Sequence, residues 1–497
     1  MSDRRVIAVI DVGSNSVRLL VARELTPTAF EVVDEERFDA RLGESGATGT
    51  LLSGEAMERG ARALRLTTQV ASSYGPSTTV AVGTEALRRA SNAGVLIDRV
   101  RHETGVAIRV LSAQEEAFAS FLGVVNSTAL NNGRIIDIGG GSVEVIDVAN
   151  RMFGGAQSAP LGALYARSKH LATDPPTKRE VRALRKAVRD ELALERDGAM
   201  LVGVGGAIRN IARMARMRRG YPLRRLHGLV LPRAEVRRIA SALLRVPEPE
   251  RRKLPGVHAA RADILHSAAT VLDETMEYCG ASELFVSGQG LREGLVWQEI
   301  RRESPALPDV RAASISGLAR ANSVDELSVE PAVSAAALLF DATRKTHQLD
   351  DAALDLLVNA ARLAGIGMHI DYYNRDRHGE YVVHSGDLHG FTHREIIMLG
   401  ALVRSADSGT PDLSAYKAVL SEDDARSVSV LAALLGLARA IRRRRPSPVL
   451  SIGATVERGE LRIKLSGRGA LDAEVVALER QAKRVESALG LELNVSA

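Results

Sequence analysis

Cysteine, aromatic residues and long apolar runs are all scarce in this chain. Cys279 is the single cysteine among 497 residues, so no disulfide can form within the chain and a reducing compartment is expected. Phe, Trp and Tyr together make up 3% of the residues, which argues against stacking on nucleic-acid bases. The apolar stretch at 428–441 is too short to span a bilayer, and the N-terminus shows no signal-peptide pattern. We therefore expect a cytoplasmic protein with neither a membrane nor a specific nucleic-acid partner.

Positive charge is in modest excess and is locally concentrated. The formal net charge is +5, and basic clusters occur at 178–189, 213–225 and 251–253. A solvated helix face explains any one cluster, whereas an anionic substrate without bases, such as a phosphate chain, explains the excess as a whole. On the second interpretation, the clusters at 178–189 and 213–225 would line a path for that chain.

The stretch "RIIDIGGGSVEVIDV" at 134–148 places three consecutive glycines between two β-branched runs. A hairpin turn needs one or two glycines for positive φ, so a third indicates that something approaches the backbone closely. Exposed N–H groups in such a turn form a cradle for phosphate. The flanking acids, Asp137 and Glu144, would repel a bare phosphate unless a cation lay between them. A plain glycine-rich hairpin remains the alternative interpretation.

The N-terminal stretch "VIAVIDVGSNSVRLLVA" at 6–22 has the same pattern. Aligning Asp11 with Asp137 also aligns the first glycine and the last serine of both turns, and it places Arg18 over Glu144. The two copies lie about one domain length apart. This internal repeat predicts two similar domains, each presenting a phosphate-sized loop, and two such loops on one cleft could hold adjacent phosphates.

The predicted elements change character twice along the chain. Strands and helices alternate up to about residue 300, which is typical of α/β layers. Prolines then mark a linker, an Ala- and Leu-rich helical region follows, and a hairpin begins the tail. We predict four domains, at 1–128, 129–308, 309–445 and 446–497.

Six stretches, two of them from the repeats above, occur in a characteristic order: "IDVGSNSVRLLVA", "GTEALRRA", "SAQEEAFASFLGV", "IIDIGGGSVEV", "LPGVHAARADIL" and "SGQGLREGLV". Together they resemble the exopolyphosphatase/guanosine pentaphosphate phosphohydrolase family over roughly residues 6–300, and the helical portion resembles the longer members. The resemblance implies an α/β fold with two actin-like (ribonuclease H-like) domains and a cleft between them. It also implies an all-α HD-like domain followed by a small α/β C-terminal domain.

The resemblance implies a reaction as well. It is the removal by water of the terminal phosphate of inorganic polyphosphate, or of the 5′ γ-phosphate of guanosine pentaphosphate (pppGpp), with Mg²⁺ or alternatively Mn²⁺. Glu116 of "QEEA" would be the general base, since a carboxylate can orient and deprotonate water. Asp137 and Glu144 would bind the metal, and Arg88 would lie near the phosphates. Without the resemblance, Glu116 would be a first-turn helix acid and Arg88 a helix-surface arginine.

Three turns would contact phosphate through glycines and small polar residues. They comprise Asp11, Gly13, Ser14, Asn15, Ser16, Gly139, Gly140, Gly141, Ser142, Gly205 and Gly206. Gly288 and Gly290 would border the cleft where relatives bind nucleotide. Other functions stay open at this point: an ATP-dependent kinase on the same fold, or a sensor that binds polyphosphate or the alarmones pppGpp and ppGpp without catalysis. An alarmone could also inhibit an active hydrolase.

Two positions near the cleft depart from the family pattern. Ala207 stands where threonine is common, and Gly288 stands where aspartate is common. Both changes predict a reshaped nucleotide side of the cleft.

The helical region lacks the doublet on which an active HD metal site depends. Ala364 and Gly365 occupy the place of the His-Asp pair, so we expect no catalytic metal there, although His347 and Asp407 could match the outer ligands. The histidines between 369 and 393 are expected to be structural or to lie on a substrate path. The oligomeric state is left open, and the helical region and tail offer surface for a homodimer.

Overall fold

The chain folds into two compact units, residues 1–310 and 311–497. The computed structural model describes residues 5–45, 50–406, 412–442, 444 and 446–497. Within these ranges no helix combines the length and apolar character needed to cross a membrane. The division into four domains is finer than the two units and stays a prediction.

The first sheet of unit one begins with the N-terminal repeat. Its elements are β1 (Val6–Val12), β2 (Ser16–Thr26), β3 (Ala29–Asp39), α1 (Gly54–Ser73), β4 (Thr78–Gly83), α2 (Glu85–Arg89), α3 (Ala93–Thr104), β5 (Ile108–Val110) and α4 (Ala113–Val125). The strand order is β3-β2-β1-β4-β5, an antiparallel meander extended by two parallel strands. The repeat at 6–22 forms an antiparallel hairpin of β1 and β2, as its pattern of strand, turn and strand predicts.

The second sheet follows the same plan. Its elements are β6 (Gly133–Ile138), β7 (Val143–Ala149), β8 (Met152–Ala159), α5 (Ala163–His170), α6 (Lys178–Glu191), β9 (Leu201–Val204), α7 (Gly206–Arg218), β10 (Val230–Pro232), α8 (Arg233–Leu244), α9 (Glu248–Arg251), α10 (Leu265–Cys279), β11 (Glu283–Val286) and α11 (Leu291–Ile300). The order is β10-β11-β9-β6-β7-β8, again a meander joined to two parallel strands, with β10 added as an antiparallel edge strand. The repeat in the sequence is therefore a repeat of topology.

Unit two is helical for most of its length and ends in a small sheet. Its elements are α12 (Val310–Ala321), α13 (Glu326–His347), α14 (Asp351–Leu363), α15 (Arg375–Ser385), α16 (His393–Arg404), α17 (Glu422–Ile441), β12 (Val449–Glu457), β13 (Glu460–Gly467), α18 (Asp472–Glu479), α19 (Ala482–Leu489) and β14 (Glu492–Ser496). In the described residues the helices come first and the strands follow from Val449, while separate helical and α/β domains stay predictions. One apolar core joins them, since Leu461 and Leu478 of the tail pack with Leu431 and Leu434 of α17. The assignment of the helices to an HD-like fold stays a prediction.

Helix α4 lies between the two sheets of unit one. Its residues Phe121 and Val125 pack in one apolar cluster with Ile135 of the second sheet. On its other side, Ala119 joins a cluster with Val9 of the first sheet and residues of α11. Both sheets therefore use the same helix as a packing partner.

At two points the helices α4 and α11 approach each other backbone to backbone. A Cβ atom on Gly294 would lie 1.8 Å from the carbonyl oxygen of Ala119, and one on Gly123 would lie 2.1 Å from that of Gly290. Both distances are far below any van der Waals contact, so only glycine allows the two helices to approach this closely.

Replacing Gly294 with alanine is expected to lower the free energy of unfolding by about 3 kcal/mol, because the added methyl group has no space and overpacking costs about 1–3 kcal/mol. Trp297 is the only tryptophan and lies buried in α11, so its fluorescence during urea unfolding reports on this contact. The matched control is Gly94→Ala in α3, where a Cβ atom would meet nothing within 4 Å. There we expect a slight stabilisation, since alanine is the better helix former. Equal effects of the two substitutions would contradict the packing argument.

Candidate active site

Two equivalent β-turns form the floor of the candidate site. In the first, Asp11 pairs in register with Arg18 across β1 and β2, and in the second Asp137 pairs with Glu144 across β6 and β7. A backbone hydrogen bond closes each turn: Gly13 N donates to the Ser16 carbonyl at 3.1 Å, and the corresponding bond of the second turn, between residues 139 and 142, measures 3.0 Å. The structure thus places the two predicted phosphate loops in the same local geometry.

Both turns line one open cleft of about 1050 Å³. All the residues predicted to bind phosphate or metal lie along it, as does Glu116. Within the described part of the chain, the backbone amides of Ser14, Asn15, Gly140 and Gly141 donate no hydrogen bond to another backbone group. Such free amides in a tight turn form an anion-binding nest.

Six carboxylates line this cleft, and four of them, Asp11, Glu116, Asp137 and Glu144, are made harder to ionise by burial. Burial is the largest cause in every case, and it raises the pKa of Glu116 to about 7, that of Asp137 to about 6 and that of Glu144 to about 8. The pKa of Asp11 is raised as well, for the same reason. The acids also repel one another, because Glu116 and Asp137 both act on Glu144. A cation bound among these acids would favour their charged forms.

Hydrogen bonds hold the acids from their outer sides. The hydroxyl of Ser158 donates to Glu144 Oε1 at 3.1 Å, the Ser142 hydroxyl donates to the same oxygen, and Ser120 approaches Asp137 Oδ2 at 3.5 Å. These donors fix the carboxylate orientations before any ligand arrives.

A capping box explains why Glu116, and not its neighbour, reaches the cleft. Ser112 accepts a hydrogen bond from the Glu115 amide, and Glu115 Oε2 accepts one from the Ser112 amide at 2.8 Å. Glu115 is thereby committed to the start of α4 and lies exposed, bound also to Arg109. The next residue, Glu116, lies about 100° further round the helix and lines the cleft.

Arg88 lies behind Glu116 and is absent from the described lining of the cleft. Its Nη1 donates to Glu116 Oε2 at 2.8 Å and to the Leu111 carbonyl at 2.8 Å. In this structure the arginine predicted near the phosphates is thus a partner of the predicted base, and it opposes the rise in the pKa of Glu116.

Four cleft arginines received no role from the sequence: Arg18, Arg209, Arg261 and Arg292. Burial lowers the pKa of Arg18 to about 10 and that of Arg261 to about 9, and each is further lowered by neighbouring guanidinium groups. Arg209 donates to the Gly288 carbonyl at 2.9 Å, and Arg292 donates to that of Leu19 at 3.0 Å. Such crowding of cations favours a ligand that carries several negative charges. The sequence did contain a pattern that could have identified them, since each of these arginines follows a glycine-rich turn or lies in one of the six motifs.

Two adjacent glycines, Gly205 and Gly206, leave space for the side chains of Asp137 and Arg261. Gly205 has a φ of 91°, and a Cβ atom on it would lie 2.7 Å from Asp137 Oδ1. A Cβ atom on Gly206 would lie 2.2 Å from the guanidinium nitrogens of Arg261. Larger residues at these positions would push both charged groups out of place.

The departure at Gly288 has a local explanation. The Gly288 amide donates to Nδ1 of His227 at 3.0 Å, while Nε2 of the same ring lies 2.9 Å from the Ser127 carbonyl at the end of α4. His227 thus supports the 287–290 turn from outside the cleft. Ala207, the other departure, lies buried in the first turn of α7 and also lines the cleft.

The residues present fit a hard divalent cation. Carboxylate and hydroxyl oxygens are the donors that Mg²⁺ and Mn²⁺ prefer. Among the described residues, no three His, Cys, Asp or Glu side chains are grouped closely enough to hold an ion by themselves. Mg²⁺ usually keeps several waters and takes one or two carboxylates together with substrate phosphates, so Asp137 and Glu144 form a sufficient protein contribution. Burial raises the pKa of both carboxyl groups, and a bound cation would stabilise their charged forms.

The basic clusters lie elsewhere in unit one. Arg185 and Arg189 pair with the buried carboxylates of Asp273 and Glu274, and Arg218 pairs with Glu235. No described residue of 178–189 or 213–225 lines the cleft. A part of each cluster is therefore used in holding helices together, and a chain path along them stays a prediction.

His347, one of the two residues that could match the outer ligands of an HD metal site, is not arranged as a metal ligand in the described residues. Both ring nitrogens of His347 are used at the end of its own helix, Nε2 at 3.1 Å from the Phe340 carbonyl and Nδ1 accepting from the Leu349 amide at 2.9 Å. Ala364 and Gly365 follow directly on α14. Asp407 lies outside the described residues.

Comparison with known proteins identifies the group to which these features belong. Residues 20–303 match the Ppx/GppA phosphatase family, which is more than half of the chain, and residues 310–474 match Ppx/GppA phosphatase domain III. The chain belongs to the Ppx/GppA phosphatase family. It is thus a phosphatase of the exopolyphosphatase-like kind, and its mixed α/β fold is consistent with the actin-like fold of that family.

Solved structures agree with this assignment. A Ppx/GppA family member from Aquifex aeolicus is 27% identical, with a TM-score of 0.53, and the match covers 60% of this chain and 99% of that one. An exopolyphosphatase from Cytophaga hutchinsonii is 23% identical, with a TM-score of 0.57 and coverage of 61% and 100%, and it supports the fold.

Arg18→Gln is expected to weaken the binding of inorganic tripolyphosphate about tenfold or more, because hydrogen bonds to charged groups contribute about 1.5–3 kcal/mol. Isothermal titration calorimetry measures the affinity directly. The matched control is Arg23→Gln on the same strand, where the side chain is 40% exposed and pairs with Glu31 outside the cleft. A loss of affinity in both variants, or in neither, would contradict a role of Arg18 in anion binding.

Proposed function

We propose that the protein is an exopolyphosphatase that hydrolyses the terminal phosphoanhydride of inorganic polyphosphate, with Glu116 as general base. The observation that carries the proposal is the position of a half-buried carboxylate in the same cleft as two anion-binding turns. Hydrolysis of a phosphoanhydride needs a positioned water and stabilised phosphate charge, and these groups are suited to provide both.

Glu116 would accept the proton of the attacking water. A general base works best when its pKa lies near the working pH, and burial raises the pKa of Glu116 to about 7. Arg88 holds one carboxylate oxygen and leaves the other available to orient the water. Arg88 is thus a positioning residue in this proposal.

The two turns would hold successive phosphates of the chain end. The free amides of Ser14, Asn15, Gly140 and Gly141 would donate to phosphate oxygens. The cleft arginines would add charge-assisted hydrogen bonds. Asp137 and Glu144 would hold Mg²⁺ or Mn²⁺, which when bound neutralises phosphate charge and makes the phosphorus more open to attack.

Guanosine pentaphosphate offers the same type of bond, so it is the alternative substrate. Phosphate release from long-chain polyphosphate, guanosine pentaphosphate and ATP, each with Mg²⁺, separates the candidates. We expect the highest kcat/KM for polyphosphate. A preference for the guanosine compound would keep the chemistry and change the substrate, and binding of polyphosphate without any release would instead indicate a sensor.

Glu116→Gln is expected to lower kcat on polyphosphate by about 10²–10⁴-fold, the usual contribution of a general base, while polyphosphate still binds. The change keeps the shape of the side chain and removes its ability to take a proton. Glu115→Gln is the matched control, since it makes the same change at the adjacent, exposed residue. Comparable losses in both variants would point to disruption of α4 rather than to a missing base.

Asp137→Asn and Glu144→Gln are expected to raise the Mg²⁺ concentration needed for half-maximal activity about tenfold or more, because each removes a charged oxygen ligand. Chelation should abolish activity, and added Mg²⁺ or Mn²⁺ should restore it. Asp147→Asn is the control on β7, where the carboxylate is 56% exposed and pairs with Arg134. An unchanged Mg²⁺ requirement in the two cleft variants would refute the proposed ligands.

A further inference from the structure

The cleft and a second, smaller cavity share one wall. The second cavity is open to solvent and has about 420 Å³ of empty space, and four residues line both spaces: Ser14, Glu85, Gly140 and Gly141. Three of the four belong to the two phosphate-binding turns. The wall therefore stands directly beside the place where phosphate is expected to bind.

Glu85 fills the gap between the two turns. Its Oε2 accepts a hydrogen bond from the Ser14 hydroxyl at 3.0 Å, and its Oε1 accepts one from Arg89 Nη1 at 3.0 Å. The carboxylate lies against the backbone of the second turn, since a Cβ atom on Gly141 would be only 2.0 Å from Oε2. One side chain thus contacts the turn of each sheet, and it is only 14% exposed.

The two spaces differ in charge. Four arginines line the cleft, whereas Arg89 is the one basic side chain among the described residues that line the smaller cavity, and Glu85 already binds it. The remaining wall of the smaller cavity is largely apolar, formed by side chains such as Leu42, Leu52 and Leu164. A polyanion is therefore stabilised in the cleft and gains no charge partner beyond the wall.

We propose that Glu85 is the end-stop that restricts this site to chain ends, an inference that rests on the proposed exopolyphosphatase function. Its carboxylate blocks the gap and repels any further phosphate, so that the chain can advance only until its last phosphate lies in the two turns. Water then bonds to the terminal phosphorus, its proton passes to Glu116, the P–O–P bond breaks and orthophosphate leaves. Glu85 acts as a specificity-determining residue.

Without the stop, a chain could extend through the gap into the smaller cavity. The same attack would then occur at an internal phosphorus, where the P–O–P bond breaks and two shorter chains form, each with a new terminal phosphate. A site with Glu85 in place would therefore cleave only chain ends, whereas a site without this barrier would also cleave internal bonds.

The test uses polyphosphate whose two terminal phosphates are blocked as phosphoramidates. New terminal phosphate groups are followed by ³¹P NMR in the presence of Mg²⁺. We expect the wild-type protein to cleave blocked chains at the rate seen without protein. Glu85→Ala and Glu85→Gln should cleave them at least about tenfold faster than that background rate. The glutamine variant keeps the length of the side chain and removes its charge, and Glu55→Ala, in the first turn of α1, is the control with an exposed glutamate.

Each variant is also assayed on free-ended chains, and its folding is checked through Trp297 fluorescence. The inference would be overturned if both Glu85 variants release orthophosphate from free-ended chains but cleave blocked chains no faster than the wild-type protein does. If Glu85→Ala does not fold, Glu85→Gln alone decides. Failure of the wild-type protein to release phosphate from free-ended chains would instead overturn the proposed function, so the two failures are distinguishable.

Discussion

The packing of α4 between two sheets is the constraint on which the candidate site depends. Glu116 stands in the first turn of this helix, and the two phosphate loops end strands of the sheets that pack against it. The crossing with α11 is set by backbone contact at Gly123 and Gly294, which leaves little freedom for sliding. At the other end of α4, Asn126 donates to the Pro305 carbonyl and accepts from the Leu307 amide, both at 2.7 Å. The helix is therefore held along its whole length.

Electrostatics then decide what this rigid arrangement can accept. Carboxylates and guanidinium groups line the same cleft. Glu116 pairs with Arg88, whereas Asp137 and Arg261 form no ion pair within the described residues. Burial weakens the ionisation of both kinds, as the raised pKa of Glu144 and the lowered pKa of Arg261 show. A ligand made of phosphates and a divalent cation supplies both missing charges at once. The cost of burying these groups is thus offset on binding, and the site is preorganised for such a ligand.

Much of the site followed from local patterns. The repeat of strand, acid, glycine turn and strand predicted two equivalent loops, and the register pairs Asp11 with Arg18 and Asp137 with Glu144 as the alignment required. The choice between Glu115 and Glu116 did not follow from these patterns, because both are acids in a helix start. It was decided by a capping box that uses the first of them. Arg88 is a similar case, since its partner Glu116 lies 28 residues away.

The sequence by itself determined the elements and the turns, because glycine positions, capping residues and hydrophobic periods act over a few residues. It also determined the family, through motifs whose order is readable along the chain. Only the tertiary structure decided which side chains share the cleft. Arg209, Arg261 and Arg292 come from separate segments of the second half of unit one, and Glu85 reaches across to the opposite turn. Their convergence depends on how distant helices pack, and no local period of the sequence carries that information.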